Sequence, residues 1–175
     1  IAARLDDLGW TPCAVLNTHA HYDHVGAVEA LKKRYAIPFY LHDGDVELLR
    51  RANLYRLIFD SREVVQIPEV SHDLGELAGS LTLGEFELGV MHTPGHTDGS
   101  TCFVLDGYLV SGDTLMAEGG GRTDLPGGNR DVLRQSHRKL SKLDGNLTVL
   151  GGHGPKVSLS AALAAAASQE NAVAK

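Results

Sequence analysis

The chain has 175 residues, 43% of them hydrophobic and 22% charged, with a formal net charge of −6. That length supports one domain with a real core, and the acidic balance argues against a protein that holds nucleic acid by counterion release. No apolar run reaches the roughly 20 residues of a membrane-spanning helix, and no signal peptide is legible. The expected setting is therefore cytoplasmic and reducing, although the chain opens on Ile1 rather than Met. Cys13 and Cys102 sit among apolar neighbours at no metal-like spacing, so both read as buried thiols rather than a disulfide.

In chain order, "IAARLDDLG" predicts an amphipathic helix ending at Gly9, and "PCAVLN" a short strand. "DHVGAVEALKKRYA" carries apolar residues at helical spacing, Val25, Val28, Leu31 and Tyr35, and stops before Pro38. "IPFYLH" reads as the next strand, and "GDVELLRRANLYRLIF" as a helix with Val46, Leu49 and Leu54 on one face. "SREVVQIPEVSHDLGELAGS" follows no single period. "SLTLGEFELGVMHTP" predicts paired strands, and "TCFVLDGYLVSGD" a hairpin that turns at Asp106-Gly107. A polar loop, "GRTDLPGGN", leads to a helix, "NRDVLRQSHRKLSKL", with Val132, Leu133, Leu140 and Leu143 inward. A strand in "NLTVLGGHGP" and an Ala-rich helix close the chain. Strands and helices alternate with some hairpins, which places the class as α/β or α+β in layers.

Apolar runs repeatedly end in a His or Asp. "AVLNTH" delivers His19, then His21, Asp23 and His24; "FELGVMHTPGH" delivers His96, "YLVSGD" Asp113 and "LTVLGGH" His153. Strand ends are where ligand sites gather in α/β sheets. Gly95, Gly99, Gly112, Gly151, Gly152 and Gly154 flank these residues and let backbone, ion and substrate approach closely. His19 and His21, two apart on an extended segment, can grip one ion. Asp23 and His24, at the start of a helix, can face a second. Asp113 is the natural bridging carboxylate for two ions roughly 3.5–4 Å apart. His42, His72, His92 and His137 are isolated and read as hydrogen-bonded structural residues.

The motifs "THAHYDH", "TPGHTDGS", "SGDTL" and "GHGP", in that order along nearly the whole chain, resemble those of the metallo-β-lactamase-fold hydrolases. Within that superfamily "GGGRTDLPGG" resembles the hydroxyacylglutathione hydrolases (glyoxalase II-like proteins) and the related persulfide dioxygenases. The resemblance implies an α+β fold, an αββα sandwich, with two divalent cations between its loops. Zinc is the expected metal, with iron or manganese as alternatives. Carried over by residue, His19, His21 and His96 would bind one metal, Asp23, His24 and His153 the other, and Asp113 both. Arg122 would hold a carboxylate of the glutathione half, or else form a surface pair with Asp124. The strands that open the family are absent, so the expectation is a single domain, 1–175, that is N-terminally truncated. The C-terminal helical domain of full-length glyoxalase II is absent too. Gly151 replaces a usual proline, and Ala27 a common glycine.

The expected reaction is hydrolysis of a small thioester, such as S-lactoylglutathione, by a water activated on the cations. Asp23 would orient that water or its proton. One alternative is a persulfide dioxygenase with a single iron on His19, His96 and Asp113. Others are hydrolysis of lactones or small esters, or a non-catalytic scaffold. A β-lactamase is disfavoured because the commonest zinc type carries Cys where Asp113 stands. The expected partner is a small-molecule substrate, with no nucleic acid and no membrane, in a monomer or small homo-oligomer.

Overall fold

The computed structural model describes residues 1–59, 64–77 and 79–173. The strand β2 (Phe39–Leu41) shows how the layers arise. Side chains alternate along a strand. Phe39 and Leu41 therefore point to one face, where they pack with Val25, Val28, Leu49 and Ala52. Tyr40 points to the other, among Leu74, Leu81, Leu88, Val90 and Phe103. β2 is the centre of a parallel sheet ordered β1-β2-β3, with β1 at Val15–Leu16 and β3 at His72–Asp73. The helices α2 (Tyr22–Val25), α3 (Val28–Tyr35), α4 (Val46–Arg50) and α5 (Ala52–Phe59) cover its outer face.

The second sheet runs β4 (Ser80–Leu83), β5 (Phe86–His92), β6 (Thr101–Leu105), β7 (Tyr108–Gly112), β8 (Thr148–Gly151) and β9 (Val157–Ser158), in that spatial order. Its pairs are antiparallel except β7 with β8, which run parallel. Leu81, Leu88, Val90 and Phe103 face the first sheet. Cys102, Leu109 and Val149 face away and pack on α6 (Arg130–Leu140) and α7 (Leu159–Val173) through Leu140, Leu159, Ala162 and Ala166. Three apolar clusters thus make four layers, helix, sheet, sheet, helix, which is the expected αββα sandwich. The first sheet ends at β1. Tyr108, Val110 and Leu150 lie on the same inner face as Phe103, by the registers Phe103↔Val110 and Val110↔Leu150, and remain exposed.

Several expectations hold in detail. The helix α1 (Ala2–Leu8) ends at Gly9, which takes φ 65°. The β6–β7 hairpin turns through Asp106 and Gly107, both at positive φ. Asn129 Oδ1 accepts from the N–H groups of Asp131 and Val132 and so caps α6.

Others do not. Cys13 is exposed; only Cys102 is buried. Short apolar neighbours do not bury a residue in a segment that enters the sheet from outside. The helix expected over 23–36 breaks at Gly26–Ala27 into α2 and α3, and that over 44–59 is a 3-10 turn (Asp43–Asp45) followed by α4 and α5. Leu54 stands five residues past Leu49, about 140° around a helix. Leu49 stays buried, while Leu54 is 55% exposed. In the aperiodic segment, β3 and a 3-10 turn at Leu74–Glu76 appear; residues 61–63 and Ala78 of it lie outside the described residues.

Candidate metal centre

The five histidines and two aspartates singled out above leave the ends of four different strands. His19 follows β1, and His21 caps α2, whose first turn carries Asp23 and His24. His96 lies in the β5–β6 loop, Asp113 directly after β7, and His153 after β8. The structure brings all seven together. His21 Nδ1 and His96 Nε2 are 2.9 Å apart. His24 Nε2 stands 3.5 Å from Asp23 Oδ2 and 3.7 Å from Asp113 Oδ1. His153 Nε2 stands 3.2 Å from Asp23 Oδ2 and 3.7 Å from Asp113 Oδ2, and His96 Nε2 is 3.6 Å from that same Asp113 oxygen.

Two sets of three ligand-type atoms result, His19–His21–His96 and Asp23–His24–His153, each within 4.8 Å of one another. Asp113 reaches both, and also forms a compact group with His19 and His24. The two sets differ in solvation. His19 and His96 are 1% and 2% exposed, whereas the side chains of Asp23 and His153 are 39% and 58% exposed. The first set is dry and the second faces the solvent.

The protonation pattern favours ligation. His96 Nδ1 donates to the Arg122 carbonyl at 2.8 Å, which leaves Nε2 as a bare lone pair pointing inward. Burial holds the His19 imidazole well below its usual pKa, with His24 and His96 adding to the effect. Burial, then His96, pushes His21 down to about 4. Burial also lowers His24, against the pull of Asp113. Neutral rings are the form that binds metal. Among the described residues, buried His19 Nε2, His21 Nε2, His24 Nε2 and Asp113 Oδ1 have no hydrogen-bond partner. Unpaired buried polar atoms are costly, and cations between them would satisfy His19 Nε2, His24 Nε2 and Asp113 Oδ1, while His21 turns Nδ1 toward His96. The donor set therefore fits a pair of divalent cations.

What holds these loops was less legible in the sequence. Asn17 Nδ2 donates to the carbonyls of His19 and His24. The buried Asp45 carboxylate accepts from Ala20 N, Thr97 Oγ1 and Gly99 N. Its pKa is raised by burial, which these three donors oppose. Asp45 follows a strand, as the ligand candidates do, but the helix that starts after it reads as ordinary capping. Gly152 is required by close approach: a Cβ there would meet Asp113 Oδ1 and come within 2.7 Å of His24 Cε1.

The four remaining histidines have structural surroundings. His92 Nε2 donates to the Asp98 carbonyl and its ring stacks on His42 at 4.0 Å. His137 Nε2 donates to the Thr114 carbonyl, and His72 stacks on Tyr40. His42, Asp43 and Asp73 also cluster, but His42 Nδ1 accepts from Gly44 N, and Asp73 Oδ1 accepts from the N–H groups of Asp43 and Gly75. Arg122 forms the surface pair with Asp124, through two bonds of 2.7 and 2.8 Å. That pair holds Asp124 down to about 2. Arg122 also lines a cavity of about 350 Å³ that opens on His21, Asp23, His96, Asp113 and His153.

An αββα sandwich with such a set of inward histidines and aspartates at its strand ends defines a metallo-hydrolase class of protein. Residues 1–153 match the metallo-beta-lactamase superfamily, and the chain belongs to that family. It is 42% identical over 159 residues to the probable metallo-hydrolase YqgX of Bacillus subtilis (strain 168), spanning 89% of this chain and 74% of that protein. It is 36% identical over 153 residues to a hydroxyacylglutathione hydrolase of Xanthomonas euvesicatoria pv. vesicatoria (strain 85-10), spanning 87% of this chain and 51% of that one. Among solved structures, the BLEG-1 B3 metallo-beta-lactamase superposes with a TM-score of 0.85 at 36% identity, over 91% of this chain and 78% of that one. TTHA1623 in a di-iron-bound form superposes with a TM-score of 0.82 at 33% identity, over 91% and 79%. No helix among the described residues is long and apolar enough to cross a membrane.

Proposed function

We propose that the chain is a hydrolase of small thioesters, such as S-lactoylglutathione, that works with two divalent metal ions. The observation that carries this reading is the pair of ligand sets joined through Asp113. His19, His21 and His96 would hold one cation, Asp23, His24 and His153 the other, and Asp113 both. When bound, such cations supply Lewis acidity and bring the pKa of water toward neutrality.

The chain's own residues do the rest. Asp23, half-exposed on the open side of the site, orients the attacking water and accepts or directs its proton. The His96 N–H bond to the Arg122 carbonyl fixes the ring and the loop after Asp113 together. Arg122 takes a carboxylate of the thiol half with its planar fork of donors, in exchange for Asp124. A thiolate leaves with little need for protonation, so no dedicated general acid is required.

The hydroxyacylglutathione hydrolase among the relatives supports a thioester, and the di-iron form of TTHA1623 supports two metals while keeping iron beside zinc and manganese. A single-iron dioxygenase would leave His21, Asp23, His24 and His153 converging without a task. A second reading, lactam hydrolysis, gains support from the BLEG-1 relative, even though Asp113 stands where the commonest zinc lactamases carry Cys. Metal analysis of protein purified without chelators, together with S-lactoylglutathione and nitrocefin assays, tests both. Two metals per chain with thioester turnover is the expected result. One iron and no thioester cleavage would overturn it.

A further inference from the structure

Apart from its histidines, aspartates and Arg122, the cavity over the candidate metal centre is lined mostly by apolar side chains. Leu48 and Tyr55 from α4 and α5, Leu125 and Pro126 from the Gly/Pro loop, and Met116 after β7 form its walls. All but Pro126 are half-buried, so each still shows part of its apolar surface. The Tyr55 hydroxyl has no hydrogen-bond partner among the described residues. Arg122 is the single cationic side chain among the described residues lining the cavity, and the Nε–Nη2 edge of its guanidinium already engages Asp124. Away from the cations that the histidines and aspartates would hold, a substrate with several charged groups would find one contested partner and would have to desolvate the rest against leucine, proline and methionine.

We infer that the substrate presents an uncharged apolar group to the ledge of Leu48, Tyr55, Leu125 and Pro126, with at most one anionic group at Arg122. The inference rests on the thioester reading and deepens it: among the small thioesters the site would cleave, those with an apolar acyl group are favoured over S-lactoylglutathione. Sites of this size bind small ligands mainly through apolar contact, with a few polar groups setting orientation. Leu125 belongs to none of the three apolar clusters, so its side chain contributes to the cavity rather than to the core.

The test is calorimetric binding of uncleavable thioethers by the protein as purified. S-methyl-, S-butyl-, S-hexyl- and S-octyl-N-acetylcysteine share one carboxylate and differ only in apolar length. Affinity is expected to rise about threefold per methylene up to roughly six carbons, and the gradient is expected to flatten in Leu125→Ser and in Tyr55→Ser. Leu125→Ser lies in a loop, and thermal melting checks that each variant folds. An affinity independent of chain length, or a gradient untouched in both folded variants, would overturn the inference. Thioester turnover is measured separately on the same protein. A length gradient without cleavage of any thioester sinks the reaction and leaves the ledge standing. Cleavage with a flat gradient sinks the ledge and leaves the reaction standing.

Discussion

Thr97 Oγ1 donates to Asp45 Oδ2 at 2.8 Å, and the same carboxylate accepts Ala20 N at 2.8 Å and Gly99 N at 2.7 Å. Asp45 therefore ties the loop of His19 and His21 to the loop of His96. Asp45→Asn replaces one carboxylate oxygen by an NH₂ group that faces Gly99 N, or else Ala20 N and Thr97 Oγ1, all of them donors. A stability loss of about 2 kcal/mol is expected, with metal affinity reduced roughly 10- to 100-fold, as for other groups that position ligands. Urea unfolding and competition with a chromogenic chelator read the two effects. An unchanged metal affinity would show that the tie is only structural.

His153 and His21 sit in different ligand sets. His153→Ala is expected to drop the metal content from two per chain to one while the fold is kept, because its side chain is largely exposed. His21→Ala is expected to lose the buried ion and, with it, activity. Elemental analysis by mass spectrometry decides; two metals retained in His153→Ala would break the assignment.

Gly152 has no room for a Cβ beside Asp113 and His24. Gly152→Ala is expected to lower metal occupancy and thioester turnover at least tenfold, with a loss of about 1 to 3 kcal/mol in stability from overpacking. Full occupancy in the purified variant would contradict the close packing.

In metal-free protein, acid should unfold the site. His21 titrates near 4 when folded and near 6.5 when not. The unfolded chain therefore binds more protons between these values, and stability rises with pH across that window. Going down from pH 6.5 to 4, His21 alone removes roughly 3 kcal/mol. The lowered His19 and His24 act in the same direction. Thermal melts of chelator-treated protein should fall steadily over this range, and metal-loaded protein should resist until protons displace the metal. A flat profile in the chelated protein would contradict the buried neutral rings.

Leu41 is fully buried between the first sheet and its helices. Leu41→Ala is expected to cost about 3 kcal/mol, read as a shift in the urea midpoint with an unchanged slope.

Most of the site was legible in the primary structure because ligand chemistry is carried by residue type and close spacing. Three histidines and an aspartate within six positions, after an apolar run, admit few other uses. The hairpin at Asp106-Gly107, the α6 cap at Asn129 and the stop at Gly9 were equally readable, since each is set by local backbone preference. The helix breaks at Gly26–Ala27 and Arg51 were not, because an apolar period continues through both. Cys13 and Leu54 were misplaced for a related reason. Burial depends on what lies opposite a side chain, and neighbours in sequence do not supply that.

The sequence by itself determined which groups were available: five imidazoles, two carboxylates, one arginine after a glycine run, and the strand ends that carry them. Only the tertiary structure decided how they divide into a dry set and an open set, since that division depends on which loops the second sheet brings over the first. It also decided that Asp45 holds two of those loops together. The apolar ledge above them is built from helices and a loop far apart in the chain. These are effects of distance and solvent exclusion, which arise only when segments remote in sequence pack against each other.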